Sequence, residues 1–174
     1  MIDIETMGTS NNAVMIQLAG IFFNRDTGET GDEFCMGIDI KSCLDWGFVT
    51  TEETIEWWAT QDQNILRHIQ ETAYPVDHVI EWFYDFYKNT KGNIKVWSHA
   101  TFDFVIVQNY LAKIGKHMVH KNARDIRTLV DLSGIDLKKY DWKMKTHDAL
   151  DDCKFQIKYC VDAMKLIKDM GSTI

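Results

Sequence analysis

The sequence predicts an α/β protein in which a mixed β-sheet is flanked by helices. Three apolar segments of strand length fill the first 40 residues, helical spacing of apolar residues follows over 51–89, and strand-like and helix-like segments then alternate up to residue 170. This order is typical of a sheet that begins as an antiparallel meander and continues with parallel strands. With 45% hydrophobic residues in 174 positions, the chain is predicted to form one domain, residues 1–174.

Local patterns define the first elements. Strands are predicted over three ranges, which are 1–7, 13–24 and 33–40. A turn at Asp26-Thr27-Gly28 joins the last two strands. Thr50-Thr51-Glu52-Glu53 opens a pair of helices, and the only proline, Pro75, precedes a third helix.

The second half alternates strand and helix. We expect a short strand at 94–98, a helix from about 101 to 114, a further strand over 123–129 and a long helix over 147–170. Within the third of these ranges, Asp125 equally suits the start of a helix.

Charge and cysteine content limit the possible functions. A net charge of −7 argues against a protein that coats long nucleic acid, because such binding depends on many Lys and Arg contacts to phosphates. It leaves open a protein that acts on chain ends. The four cysteines form no CxxC pair and are predicted to be reduced thiols. With no signal segment and no apolar run of about 20 residues, the sequence predicts a cytoplasmic protein without a membrane contact.

Two carboxylates stand close together in the first predicted strand. Asp3 and Glu5 alternate with apolar residues, so they project from the same face, about 7 Å apart by the strand rise. Oxygen donors in this arrangement suit hard divalent cations. Alone, the pair equally fits two acids that face water.

Further acids and a histidine occur at the starts of two predicted helices. Asp103 falls in the first turn after the strand at 94–98, and His147 precedes Asp152 where the last helix begins. Taken separately, each acid is explained by its favourable interaction with a helix N-terminus. Their occurrence together, after the first acidic pair, favours a common site.

In order and spacing, these motifs resemble the DEDDh family of 3′-to-5′ exonucleases, within the DnaQ-like, RNase H-like superfamily. The similar stretches are Asp-Ile-Glu-Thr-Met-Gly at 3–8, Thr-Ile-Glu-Trp-Trp at 54–58, Ala-Thr-Phe-Asp at 100–103 and Arg-Asp-Ile-Arg-Thr at 124–128. They look most like compact bacterial and phage members: exoribonucleases of the mycobacterial type, phage exonuclease A and prophage exonuclease VIII-like proteins. A related subfamily has Tyr four residues before the last Asp; Asp148 stands there in this chain, which favours the histidine variant.

The resemblance implies a catalytic set and its cofactors. The carboxylates expected to bind two Mg²⁺ or Mn²⁺ ions are Asp3, Glu5, Asp103 and Asp152, with Glu5 also counted as catalytic. Two such ions can stabilise both the attacking and the leaving oxygen of a phosphodiester. His147 is expected to act as general base, because the ordinary pKa of histidine near neutrality suits proton removal from the attacking water.

Four residues are predicted to contact the substrate: Thr6, Met7, Trp57 and Phe102. Thr6 and Met7 follow the first acidic pair, a neighbourhood that touches the terminal nucleotide in DEDDh-type enzymes. Trp57 and Trp58 point about 100° apart on a helix, so one is expected in the core while the other can stack on a terminal base. Phe102 suits the core as well as a wedge against that base.

Nearby residues receive structural interpretations. His99 is expected to be structural, and an arginine, Arg124 or Arg127, is expected to pair with Asp125 in preference to contacting phosphate. Only two residues precede Asp3, fewer than the family pattern has, so either the strand starts upstream of Met1 or Asp3 is expected to lie near a frayed end.

The expected substrate is RNA or DNA, single-stranded or with a 3′ overhang, from which nucleoside 5′-monophosphates are released. Compact relatives often pair, so a homodimer fits the resemblance. Two alternatives stay open. One is an RNase H-like endonuclease, which uses four acids without the His-x4-Asp motif, and the other is a non-catalytic nucleic-acid-binding or scaffold module.

Overall fold

The elements of the chain follow the predicted order closely. The structure is a computed structural model that describes residues 1–89, 92, 94–142 and 146–171. Within these ranges the strands are β1 (Ile2–Thr6), β2 (Met15–Phe23), β3 (Thr30–Gly37), β4 (Val96–Ser98) and β5 (Ala123–Asp125). The α-helices are α1 (Ile40–Asp45), α2 (Glu52–Thr60), α3 (Gln63–Glu71), α4 (Val76–Lys88), α5 (Asp103–Lys113), α6 (Ile126–Ser133) and α7 (Ala149–Gly171). Short 3₁₀ helices occupy His120–Asn122 and Leu137–Lys139.

Backbone hydrogen bonds in the described ranges define two sheets. β1, β2 and β3 pair antiparallel in that order, and β4 pairs with β5 in parallel. β4 also contacts β1, which places the two sheets side by side. The antiparallel meander, the parallel strands and the flanking helices confirm the predicted α/β class and an RNase H-like fold.

β1 is buried along its whole length and contacts both α5 and α7. The amino group of Met1 donates to the Ile21 carbonyl at 2.8 Å, and the Ile21 amide donates back to the Met1 carbonyl at 2.9 Å. The expectation that β1 frays before Asp3 is therefore wrong, because pairing with β2 extends to the first residue.

Helix α7 packs its apolar face against β1 and β2. Cys153 and Cys160 lie on this face and are fully buried, together with apolar neighbours such as Phe155. All four cysteines are free thiols, as predicted, and burial raises the pKa of Cys160 to about 12. They pack as apolar residues rather than as reactive groups.

Two elements differ from the prediction. The predicted strand over 123–129 is only three residues long, because Asp125 ends it and caps α6 by accepting a hydrogen bond from the Thr128 amide at 3.1 Å. The short helix α1 was not predicted, and Asp39 caps it by accepting from the Ser42 amide at 2.7 Å. In the part of the chain that the structure describes, each helix is too short or too polar to cross a membrane.

Candidate active site

The structure brings the whole predicted catalytic set to one cavity of about 480 Å³. Asp3 and Glu5 come from the middle of β1, and Asp103 begins α5. Asp152 lies in the first turn of α7, and His147 immediately precedes that helix. Sequence segments more than 40 residues apart thus contribute side chains to the same space.

The possible ligand atoms fall into two groups, in each of which all atoms lie within 4.8 Å of one another. The groups are Asp3, His99 and Asp103, and Glu5, His147 and Asp152. Ligands on opposite sides of one Mg²⁺ are about 4.2 Å apart. Each group is therefore close to the size that a single small cation requires.

Strand alternation explains the placement of Asp3 and Glu5, which are both buried on the cavity side of β1. The register between β1 and β2 shifts between Glu5 and Thr6. Such a bulge re-aims the following side chains and is common beside active sites.

Asp103 is the first residue of α5 and also lines the acidic cavity. Its side chain is 2% exposed, and its Oδ2 atom accepts a hydrogen bond from the backbone N–H of His99 at 2.8 Å. The Nδ1 atom of His99 lies 3.8 Å from the same carboxylate oxygen. The interpretation of Asp103 as a helix-start residue is thus compatible with its position in the cavity.

Gln156 joins α7 to β1 inside the site. It lies one helical turn after Asp152, is 3% exposed, and its Nε2 atom donates to Asp3 Oδ1 at 2.5 Å. This bond occupies one oxygen of Asp3, so the carboxylate is held in a single orientation.

The electrostatics of the cavity favour bound cations. Burial raises the pKa of Asp3 well above its ordinary value, and the nearby charges of Asp103, Glu5 and Asp152 raise it further, while the hydrogen bond from Gln156 acts in the opposite direction. Buried like charges repel one another, and divalent cations bound between them would offset this repulsion. Carboxylate oxygens are the donors that Mg²⁺ and Mn²⁺ prefer, so the four acids of the cavity fit these ions.

Asp3→Asn is expected to stabilise the metal-free protein at pH 7. Folding raises the pKa of Asp3, so as pH rises the Asp3 carboxyl loses its proton in the unfolded chain before it does so in the folded protein. The free energy of unfolding therefore falls as pH rises above the ordinary pKa of 3.8. Asn keeps an acceptor for Gln156 without the charge, so we expect a gain of about 1–2 kcal/mol, or about 2–4 °C in Tm per kcal/mol. Thermal unfolding of the wild-type and variant proteins between pH 5 and 7 measures this gain in stability. A lower Tm for the variant at pH 7 would contradict the expectation.

Gln17 anchors the segment that carries His147. It faces Glu5 on the neighbouring strand and is 5% exposed. Its Nε2 atom donates to Asp148 Oδ2 at 2.9 Å, and its Oε1 atom accepts from the Ala149 amide at 2.9 Å. Asp148 is therefore a structural residue, which also accepts hydrogen bonds from two amides of the first turn of α7.

His147 is held in an uncommon conformation beside this anchor. Its φ angle of 57° lies in the left-handed region that favours glycine. The imidazole packs edge-on against Trp57, with 4.9 Å between ring centroids, and lies 6.3 Å from the Trp58 ring. Backbone strain of this kind persists only where the surroundings enforce it, and Gln17 with the two indoles provides that constraint.

Gln17→Leu is expected to lower both stability and turnover. The variant leaves the buried amide of Ala149 without its acceptor, at a cost of about 1–3 kcal/mol, and releases Asp148 and Ala149, which directly follow His147. Hydrogen exchange at the Ala149 amide should become faster. The control is Gln70→Leu, which removes a hydrogen bond to the Ile38 carbonyl away from the cavity and should lower stability alone. Unchanged turnover in the Gln17 variant would show that this anchor does not position His147.

The predicted substrate contacts divide into two sets. Thr6, Trp57 and Phe102 line the cavity, and Trp57 is 40% exposed. Trp58 is the core member of the indole pair, because it is 1% exposed and donates to the Thr6 carbonyl at 2.9 Å. Met7 packs in the apolar core outside the cavity lining, so the structure does not bring it to the predicted substrate.

The predicted pairing of an arginine with Asp125 is wrong. Asp125 accepts from the backbone of Ala100 and from Thr128, and the Arg124 guanidinium donates to backbone carbonyls. Arg127 instead lines the acidic cavity, where it is the only lysine or arginine among the lining residues that the structure describes.

Sequence reasoning missed Gln17 and Gln156, which hold residues of the site in place, and gave a structural interpretation to His99, which lines the cavity. A weak signal existed for each. Gln17 is a polar residue within an apolar strand, His99 precedes Asp103 by four residues, and Gln156 follows Asp152 by four residues. Such spacing places side chains on one helical face but does not distinguish a site residue from a surface residue.

A larger cavity of about 700 Å³ lies elsewhere, between β2, α4 and β4. Its walls are mainly apolar, with Phe22, Phe86 and Trp97 among them. It contains none of the acid clusters found among the described residues, so its size does not make it the reactive site.

The fold is RNase H-like, and an acidic cavity of this kind is typical of metal-dependent nucleases. The family described as "3'-5' exoribonuclease Rv2179c-like domain" matches residues 1–164, and the chain belongs to this family. The chain is also similar to a protein of Enterobacteria phage T4 named "Exodeoxyribonuclease", with 30% identity over 188 aligned positions that cover 98% of this chain and 73% of the relative. These comparisons support a 3′-to-5′ exonuclease and confirm the resemblance seen in the sequence.

Proposed function

We propose that this protein removes nucleotides one at a time from the 3′ ends of nucleic acids by a two-metal mechanism. The supporting observation is that Asp3, Glu5, Asp103, Asp152 and His147 converge on one cavity in a member of a 3′-to-5′ exonuclease family. The products would be nucleoside 5′-monophosphates. The RNase H-like endonuclease alternative is less favoured, because it gives no role to His147.

The four carboxylates would hold two Mg²⁺ or Mn²⁺ ions. Asp3 and Asp103 belong to one ligand group, and Glu5 and Asp152 belong to the other. Bound divalent ions would supply charge stabilisation for the attacking and leaving oxygens of an in-line displacement. Gln156 would keep the free oxygen of Asp3 turned toward the cavity, because it occupies the other one.

His147 would take the proton from the attacking water. Its ring lies beside Glu5 and Asp152, so a water held near these two carboxylates is within reach of the imidazole. Glu5 would orient that water, and its negative charge would stabilise the imidazolium that forms. The edge-on contact with Trp57 would keep the ring facing the cavity.

The terminal nucleotide would occupy the acidic cavity beside the carboxylates. Thr6, Trp57 and Phe102 are among the residues that line this cavity. Trp57 presents an exposed indole that can stack on a base of any sequence, a contact worth about 1–3 kcal/mol. This arrangement would recognise a chain end without reading its sequence.

The proposed substrate is a single-stranded or overhanging 3′ end, of either RNA or DNA. The family description names an exoribonuclease, whereas the phage relative is named for DNA. A 2′-hydroxyl distinguishes the two substrates chemically. Release rates on RNA and DNA oligonucleotides of matched sequence, single-stranded and with 3′ overhangs, would measure the preference.

The decisive experiment uses an oligonucleotide labelled at its 3′ end, with Mn²⁺ present. Labelled nucleoside 5′-monophosphate as the first product is expected. Internal fragments that appear before any monophosphate would instead identify an endonuclease. Binding without hydrolysis would identify a non-catalytic module and reject the proposed function.

A further inference from the structure

A second cavity adjoins the acidic one. It has a volume of about 360 Å³ and shares three lining residues with the acidic cavity, which are His99, Arg127 and Asp152. The two cavities therefore lie side by side, with Asp152 in the wall of both. We propose that this second cavity, here called the α6–α7 slot, binds the nucleobase on the 5′ side of the scissile phosphate. The proposal rests on the proposed exonuclease function.

The walls of the α6–α7 slot suit a flat heteroaromatic ring. The apolar lining residues are Ile126, Val130, Leu137, Trp142, Phe155 and Tyr159. Phe155 and Tyr159 are at most 5% exposed and meet edge-on with 5.6 Å between ring centroids, so they form a fixed inner wall. Trp142 meets Phe155 edge-on at 5.2 Å and is 48% exposed. An aromatic wall of this kind binds bases with little dependence on sequence.

Arg127 provides charge complementarity to a nucleic-acid strand at the junction. It is exposed and lines both cavities. Within the described ranges its guanidinium makes no hydrogen bond or ion pair, so it is available to a phosphodiester oxygen. Asp131, at the rim of the slot, would repel phosphate, so the backbone would pass Arg127 while the base enters the slot.

The positions of the two cavities also set the direction of the strand. Thr6 and Trp57 lie in the acidic cavity and not in the slot, on the proposed side of the terminal nucleotide. With the scissile phosphate at the carboxylates, the next base would therefore lie on the side of His99 and Arg127, where the two cavities adjoin.

The test compares two single-stranded oligonucleotides that share a normal 3′-terminal nucleotide. One has a base on the 5′ side of the terminal linkage, and the other has an abasic residue there. For the wild-type protein we expect kcat/KM for the first release to be about tenfold lower on the abasic substrate, from lost base–aromatic stacking. Val130→Trp, which fills the slot, should lower kcat/KM on the normal substrate more than on the abasic substrate, so that the difference between the two substrates is largely lost.

The matched control is Leu132→Trp, on the same helix but 68% exposed and outside the slot. It should keep the full difference between substrates. Equal wild-type rates on the two substrates would overturn the slot proposal while leaving the exonuclease function supported. Failure to release the terminal nucleotide from either substrate would reject both.

A second measurement uses the wild-type protein and does not depend on a variant that folds. An oligonucleotide with 5-iodouracil in place of the upstream base and a phosphorothioate at the scissile linkage is irradiated in the presence of Mn²⁺, and the adducts are mapped by mass spectrometry. Adducts on Trp142, Phe155 or Tyr159 are expected. Adducts found only outside the slot, or no adduct on these rings, would overturn the proposal.

Discussion

Replacing Asp152 with Asn is expected to lower monophosphate release by about a thousandfold or more, equivalent to about 4 kcal/mol of transition-state stabilisation. Asp152 is 2% exposed, and its carboxylate belongs to the ligand group of Glu5 and His147. Asn fits the same volume, so the fold should be preserved. Loss of one of four neighbouring negative charges should leave the Tm of the metal-free protein unchanged or higher.

The adjoining residue offers a control for this variant. Asp151→Asn changes the same charge on the same helical turn, but its side chain is exposed and accepts a hydrogen bond from Thr146. Release by this control should stay close to the wild-type rate. Turnover that is undiminished in Asp152→Asn, measured with folded protein and saturating Mn²⁺, would reject the assignment of Asp152 as a metal ligand.

His147→Gln is expected to lower kcat by about 10²–10⁴-fold, the usual contribution of a general base. The side chain of Gln can occupy the same space but cannot accept a proton at neutral pH. The acidic limb of the kcat profile, which reports loss of the base's proton, should therefore flatten in the variant. Binding of Mn²⁺ should weaken far less than in Asp152→Asn if His147 acts on the water.

Replacement of a second histidine serves as the control for His147→Gln. His117 is exposed and lies outside both cavities, so His117→Gln should retain kcat and its pH profile. If His147→Gln keeps its acidic limb, the proton acceptor is another group. If His147→Gln loses Mn²⁺ binding as completely as Asp152→Asn does, the imidazole is a ligand rather than the base.

The long elements of the fold could be predicted because their patterns are unambiguous. The apolar run of β2 and the helical spacing of α7 were predicted within a few residues of their observed bounds. The six residues of α1 make fewer than two helical turns, which is too short for periodicity to show. At 123–129 the sequence allowed strand or helix, and the cap formed by Asp125 decided between them.

The convergence of the four acids on one cavity could be predicted because each occurs in a motif with fixed spacing. The supporting residues could not, because their roles depend on contacts between distant segments. Gln17 meets Asp148 across 131 positions and Ala149 across 132, and no local pattern reports such a contact. Similarly, the adjacent tryptophans predict that only one of them lies in the core. The structure shows that Trp58 is the buried one, because it packs on β1 and donates to the Thr6 carbonyl.

The hydrogen bond between Asp3 and Gln156 spans 153 positions, so it can form only after α7 has been synthesised. A nascent polypeptide that has emerged only through α6 already contains Asp3, Glu5 and Asp103. It still lacks His147, Asp152 and the amide that orients Asp3. Under the proposed mechanism, a chain synthesised only through α6 would lack the general base and one of the four carboxylates, and we expect it not to hydrolyse nucleic acid.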